Sequence, residues 1–113
     1  MILEAELDRV DATTAIFRLT GRMTLGMRLR EVESKITDVA DKGVYKLILD
    51  LSGVEFLDSA GLGLLMILYG KMKTHRGELR LVAPTTRVLD LLKMTHTDSI
   101  LLIDPSLDAA LAA

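Results

Sequence analysis

The sequence predicts an α/β domain, a mixed sheet of about five strands with helices mostly on one face. Segments that alternate apolar and polar residues recur along the chain, separated by segments of helical period, which argues for parallel strands joined by crossover helices. The first two strand-like segments instead follow one another across a short polar link, as an antiparallel hairpin does, so the sheet is mixed. The strand faces are also unequal. Leu47, Leu49 and Leu51 alternate with Lys46, Ile48 and Asp50, while Leu79, Leu81 and Ala83 alternate with Glu78, Arg80 and Val82. A sheet covered equally on both faces shows continuous apolar runs. One partly charged face therefore places most helices on the other and disfavours a Rossmann-type cofactor domain.

Each element follows from its local pattern. ILEAELD, residues 2–8, sets Leu3, Ala5 and Leu7 against Glu4, Glu6 and Asp8, a half-buried strand. TAIFRLT, 14–20, sets Ala15, Phe17 and Leu19 against Thr14, Ile16, Arg18 and Thr20. After Gly21 the period changes. Leu25, Leu29, Val32, Ile36 and Val39 recur at spacings of three and four, an amphipathic helix ending near Lys42-Gly43 with glycine in the stop position. YKLILDL, 45–51, is a strand ending near Leu51 at a Ser52-Gly53 turn, after which Val54 to Leu57 lead to Asp58.

A second helix begins there, apolar on nearly every side through Leu62, Leu64, Leu65, Met66, Ile67 and Leu68, which is read as a central buried helix ahead of an exposed binding face. It ends at His75-Arg76 before Gly77. Lys71, Lys73, His75 and Arg76 crowd that end, where cations suit the helix dipole, and are read as a solvated end. ELRLVA is the next strand, PTTRVLDLLKM a short helix opened by Pro84 and Thr85, SILLID the last strand and SLDAALA a tail helix. No repeat or linker interrupts residues 1–113, which are read as one domain.

Composition removes several classes of function. With no cysteine, disulfides, thiolate catalysis and cysteine-based metal sites are excluded. His75 and His96 stand far apart without a carboxylate cluster, so no metal site and no cofactor is expected. A net charge of −2 and 4% aromatic residues give no basic, aromatic groove for nucleic acid. The longest apolar run, Ala60 to Gly70, falls short of the ~20 residues that span a bilayer, and the N-terminus carries acids where a signal peptide carries bases. These features predict a soluble, cytoplasmic protein without membrane insertion.

The segment LDSAGLG is the candidate site. Ser59 falls at or just before the start of the second helix, where backbone N–H groups lack partners and the dipole places roughly half a positive charge. A phosphate on Ser59 would meet both, and Gly61 and Gly63 remove side chains where another group comes close. On spacing alone, however, Asp58-Ser59 is read first as a helix cap, since Asp and Ser are favoured there for their oxygens. No GxGxxG, phosphate-loop lysine or G-x-S-x-G elbow is present. Met23, Met27 and Met94 are further candidates for adaptable contacts, although scattered methionines more often fill gaps in a core.

The run LILDLSGVEFLDSAGLGLL resembles the signature of the STAS-domain family, specifically bacterial anti-sigma factor antagonists, and the order of elements resembles that family over nearly the whole chain. The resemblance implies a STAS-like two-layer fold and no catalysis by the chain itself. It further implies that Ser59 is phosphorylated by an anti-sigma factor of serine-kinase type. The unphosphorylated protein would bind that factor and free a sigma factor, phosphorylation would release it, and a serine phosphatase would reset the cycle. Asp58 would cap the helix and orient the serine.

Ala60 stands where many relatives have a second hydroxyl, which leaves one acceptor. The loop after the second strand, often G-E-L-D in the family, reads Gly21-Arg22-Met23-Thr24, so Arg22, Met23 and Thr24 would face a partner without the usual acids. The alternatives are a STAS scaffold of a stress-sensing complex or an accessory subunit of a lipid transporter, with no phosphorylation cycle. A nucleotide-binding protein or enzyme is a third class, without an acid–base pair to support it.

Overall fold

The computed structural model describes all 113 residues. Strands β1 (Glu4–Arg9), β2 (Thr14–Met23), β3 (Lys46–Leu57), β4 (Glu78–Val82) and β5 (Leu102–Asp104) form one sheet in the order β1-β2-β3-β4-β5. β1 and β2 are antiparallel and the other pairs are parallel, as the hairpin and the crossover pattern predicted. Helices α1 (Met27–Ala40), α2 (Ser59–Thr74) and α3 (Thr86–Met94) supply the crossovers, and α4 (Leu107–Ala112) ends the chain.

The strand alternation sorts the layers. Ala15, Phe17, Leu19, Leu47, Leu49, Leu51, Leu79 and Leu81 point to one face and form a single core with Val32 and Ile36 of α1, Leu64, Leu65 and Leu68 of α2, and Val88 and Leu92 of α3. On the other face, Ile16, Ile48 and Val82 form a small cluster covered by Ala110 and Leu107 of α4. The lysine of β3 on that face, Lys46, reaches the carbonyls of Ala110 and Ala113 (3.0 and 2.7 Å) and so caps α4. Arg80 lies between Glu78 and Asp104 on the same face (3.2 and 3.3 Å).

Several local expectations are corrected. The chain does not turn at Ser52-Gly53. β3 continues to Leu57 because β2 also continues past Gly21 and pairs beside it, Thr20 with Gly53 and Met23 with Leu57, with an extra residue of β3 taken up at each of the register slips Arg18/Thr20 and Gly21/Arg22. Gly53 is a close approach: a Cβ there would lie 2.7 Å from Cγ2 of Thr20.

Helix α1 starts two residues later than the apolar spacing suggested, with Gly26 at its N-cap, which leaves Leu25 outside it and 74% exposed. It ends at Ala40, and Gly43 follows with a positive φ of 83°. Residues 97–99 form a 3-10 turn around buried Thr97, so the last strand begins only at Leu102. At the end of α2, Arg76 and not Gly77 takes the left-handed conformation. Gly77 is required for a different reason, because a Cβ there would press on the carbonyl of Tyr45 (2.5 Å).

Candidate functional site

Parallel β3 delivers the chain to Asp58 at the edge of the core, and α2 turns back over the sheet from that point. Asp58 is the N-cap of α2, in an extended conformation, and Ser59 is the first helical residue. One carboxylate oxygen of Asp58 accepts from the N–H groups of Ala60 and Gly61, both at 3.0 Å. The other accepts from the Leu25 N–H at 3.0 Å, and the Asp58 N–H donates to the Met23 carbonyl at 3.3 Å. One side chain thus caps a helix and fixes the β2–α1 connection beside it. These donors, the Leu25 N–H foremost and then those of Gly61 and Ala60, hold the Asp58 carboxyl below the usual carboxylate range, with partial burial acting in the opposite sense.

Ser59 is exposed at this end. The Asp58 oxygens are engaged by backbone N–H groups, so any orientation of the serine by Asp58 acts through the helix start. The same geometry narrows what the sequence suggested for a phosphate. The N–H groups of Ala60 and Gly61 already have an acceptor, and a group on Ser59 meets the dipole and the serine's own N–H, not an open cradle.

The remaining sequence-derived residues divide by burial. Gly61 is buried: a Cβ there would overlap the Met23 carbonyl and lie 2.9 Å from the Leu57 Cβ, so the close approach it permits is to the end of β2. Gly63 has nothing within 4 Å and lies on the outer side of α2. Ala60 is half-buried against the core.

Met23 belongs to β2 and is fully buried, a correction to its placement in a partner-facing loop, and it fills the core as the preferred reading of the methionines had it. Its side chain has no surface to offer, and its role is to support Gly61 and Asp58. Arg22 is exposed at the end of β2, 3.5 Å from Glu55, and Thr24 is half-buried at the start of the connection.

Beside Asp58 and along the outer line of α2 the structure exposes apolar groups that the sequence reading did not assemble. Leu25 and Met27 are 74% and 76% exposed and, with Gly26 and Arg30, line a shallow hollow of about 310 Å³. Ile67, read first as part of the buried helix and second as part of an exposed face, is 53% exposed, and Ser59, Gly63, Ile67 and Gly70 follow one outward line along α2. The signal for Leu25 was present: a glycine directly after it is a natural helix N-cap, which puts Leu25 outside the helix. The far end of α2 carries different chemistry. His75 caps it about 24 Å from Ser59 at 1.5 Å rise per residue, too far to act on that hydroxyl.

The sequence matches the family model for the STAS domain over residues 5–110. An anti-sigma factor antagonist from Mycobacterium paratuberculosis superposes with a TM-score of 0.83 at 27% identity, over 97% of this chain and 92% of the other. The Bacillus cell fate determinant SpoIIAA in its phosphorylated form superposes at 0.74 with 19% identity, over 94% and 96% of the two chains. The murine anion transporter Slc26a9 matches at 0.77 with 20% identity over 92% of this chain but only 18% of its own length. No helix is long and apolar enough to cross a membrane.

Proposed function

The chain belongs to the STAS-domain family, and we propose that it is an anti-sigma factor antagonist whose binding is switched by phosphorylation of Ser59. The observation that carries this is an exposed serine at the first position of α2, on a backbone fixed by Asp58, whose other oxygen holds the exposed Leu25, with exposed Met27 two residues beyond Leu25 and exposed Ile67 two turns along the same helix. A surface of this kind binds by excluding water from apolar groups around one small polar group. The protein acts in the cytoplasm and regulates transcription through its partner, an anti-sigma factor of serine-kinase type. The kinase supplies the catalytic groups and ATP, and a serine phosphatase restores the hydroxyl.

Phosphorylation adds about −1.5 to −2 charges. The charge lands beside the ionised Asp58, whose oxygens already occupy the Ala60 and Gly61 N–H groups. The phosphate therefore stays at the surface, and burying it against an apolar interface is unfavourable. Release then needs no rearrangement of the fold. Solved structures of SpoIIAA in unphosphorylated and phosphorylated forms support a cycle of this type on this architecture.

Arg22 and Thr24 border the contact surface, and Leu25 and Met27 form its apolar part. The test is intact mass of tagged protein after incubation with lysate of its own cells, ATP and phosphatase inhibitors. Wild type gains one phosphate and Ser59→Ala gains none, while Leu25→Glu, folded as wild type, fails to retain the kinase. Absence of phosphate on the wild type, with the kinase verified as expressed, replaces this function with that of a STAS scaffold.

A further inference from the structure

The outer edge of β1 carries a feature unrelated to Ser59. β1 is the first strand of the sheet, so one of its sides has no neighbouring strand. The Val10 N–H donates to the Thr14 carbonyl at 3.1 Å, and Asp8, Glu6 and Glu4 pair in turn with Ile16, Arg18 and Thr20. In an antiparallel pair, alternate residues exchange hydrogen bonds with the partner strand. The even-numbered residues of β1 therefore bond to β2, and Leu3, Ala5, Leu7 and Arg9 turn their N–H and C=O groups outward.

Such an edge is a template for another strand. Here two cations of α1 reach across and occupy it. Arg28 donates to the Leu3 carbonyl through Nε and Nη2 (3.0 and 2.7 Å), and Lys35 donates to the Ala5 carbonyl at 2.6 Å. A Glu31 carboxylate 2.8 Å from Arg28 Nη1 steadies the first of these.

We infer that Arg28 and Lys35 are edge guards, and that the partner they exclude is a second copy of this chain pairing through β1. Antiparallel pairing centred on Glu6 is the register that uses every outward group from Leu3 to Arg9. It matches Ala5 with Leu7 of the other copy and Leu3 with Arg9. The Arg28 and Lys35 side chains stand where the incoming strand's N–H groups would bind. The same register sets Glu6 opposite Glu6 and Glu4 opposite Asp8 on the back face, and like charges directly opposed are destabilising. The carboxylates thus form a second barrier, independent of the first.

The test is sedimentation equilibrium of the full chain over a concentration series. Arg28→Met with Lys35→Met raises the self-association constant at least about tenfold over wild type, and adding Glu6→Thr raises it further. Ala5→Pro in that background returns association to the wild-type level, since the Ala5 N–H points outward and β2 does not use it. The inference is overturned if the triple variant, folded by circular dichroism, associates no more than wild type. It is equally overturned if Ala5→Pro leaves the added association intact, which would place the contact elsewhere. If the double substitution prevents folding, Lys35→Met with Glu6→Thr, both at exposed side chains, is judged by the same two criteria.

Discussion

At the N-terminal end of α2, one carboxylate satisfies two helix N–H groups and the Leu25 N–H, and the next side chain outward is a bare hydroxyl. At the C-terminal end the polar groups are turned on one another. Lys71 and His75 lie 2.7 and 3.9 Å from the same oxygen of Asp41, and Lys73 rides 5.6 Å above the Tyr69 ring. There the left-handed Arg76 lets the Gly77 N–H reach the Met72 carbonyl at 2.8 Å. Both ends obey the same requirement, that the unpaired backbone groups of a helix find partners. They differ in how the requirement is met. The C-terminal solution engages several side chains with the protein itself, whereas the N-terminal solution engages one and leaves its neighbour free for other molecules. A capped helix start becomes a candidate switch where the capping residue and the exposed residue are different.

The sharpest way to break this contrast is to remove the residue that does the capping. Asp58→Ala loses the cap and the tie to the β2–α1 connection and should cost about 2–3 kcal/mol by urea denaturation, with Ser59 left in place. Its pH dependence has a definite sign. The folded Asp58 carboxyl is depressed, so the stability it contributes is fully present above the ordinary aspartate value of about 3.9 and is lost as pH falls through the lower folded value. The stability difference between wild type and Asp58→Ala should therefore be constant near neutrality and shrink steadily below about pH 4.

Gly61 and Gly63 sharpen the comparison within the N-terminal end. Gly61→Ala should destabilise by about 2 kcal/mol, because its Cβ has no room beside Met23 and Leu57. At the other end, Arg76→Gly should stabilise by about 1 kcal/mol by relieving a left-handed arginine. Gly63→Ala should have the smallest effect, a gain of about 0.5 kcal/mol from helix propensity, as its Cβ enters open space. A thermal-denaturation series on the three variants checks both signs and order. Equal costs for Gly61→Ala and Gly63→Ala would remove the distinction between a packing glycine and a surface one.

The sequence was informative wherever the controlling interaction is short in range. The alternation in TAIFRLT and KLILDL assigned the core face of β2 and β3 correctly, because a strand side chain's direction depends only on its parity. Asp58 was legible as a cap and Ser59 as the helix start, since the orphan N–H groups lie within three residues of the cap. Where a distant strand decides, the local pattern misled. Ser52-Gly53 has turn composition, yet β2 runs alongside and holds it extended. Met23 looked like a loop residue because Gly21 looked like a strand end, and only pairing with Leu57 buries it.

From the sequence by itself came the mixed α/β class, the order of the elements, the apolar face of the sheet and the position of Ser59 at the head of α2. Tertiary structure alone decided that the second Asp58 oxygen holds Leu25, that Gly61 serves packing while Gly63 faces outward, and that Leu25, Met27 and Ile67 are left exposed. Periodicity and capping are set by residues a turn or less apart. Burial, strand continuation and the composition of a surface are set by segments that meet only after the chain has closed on itself, thirty or more residues apart.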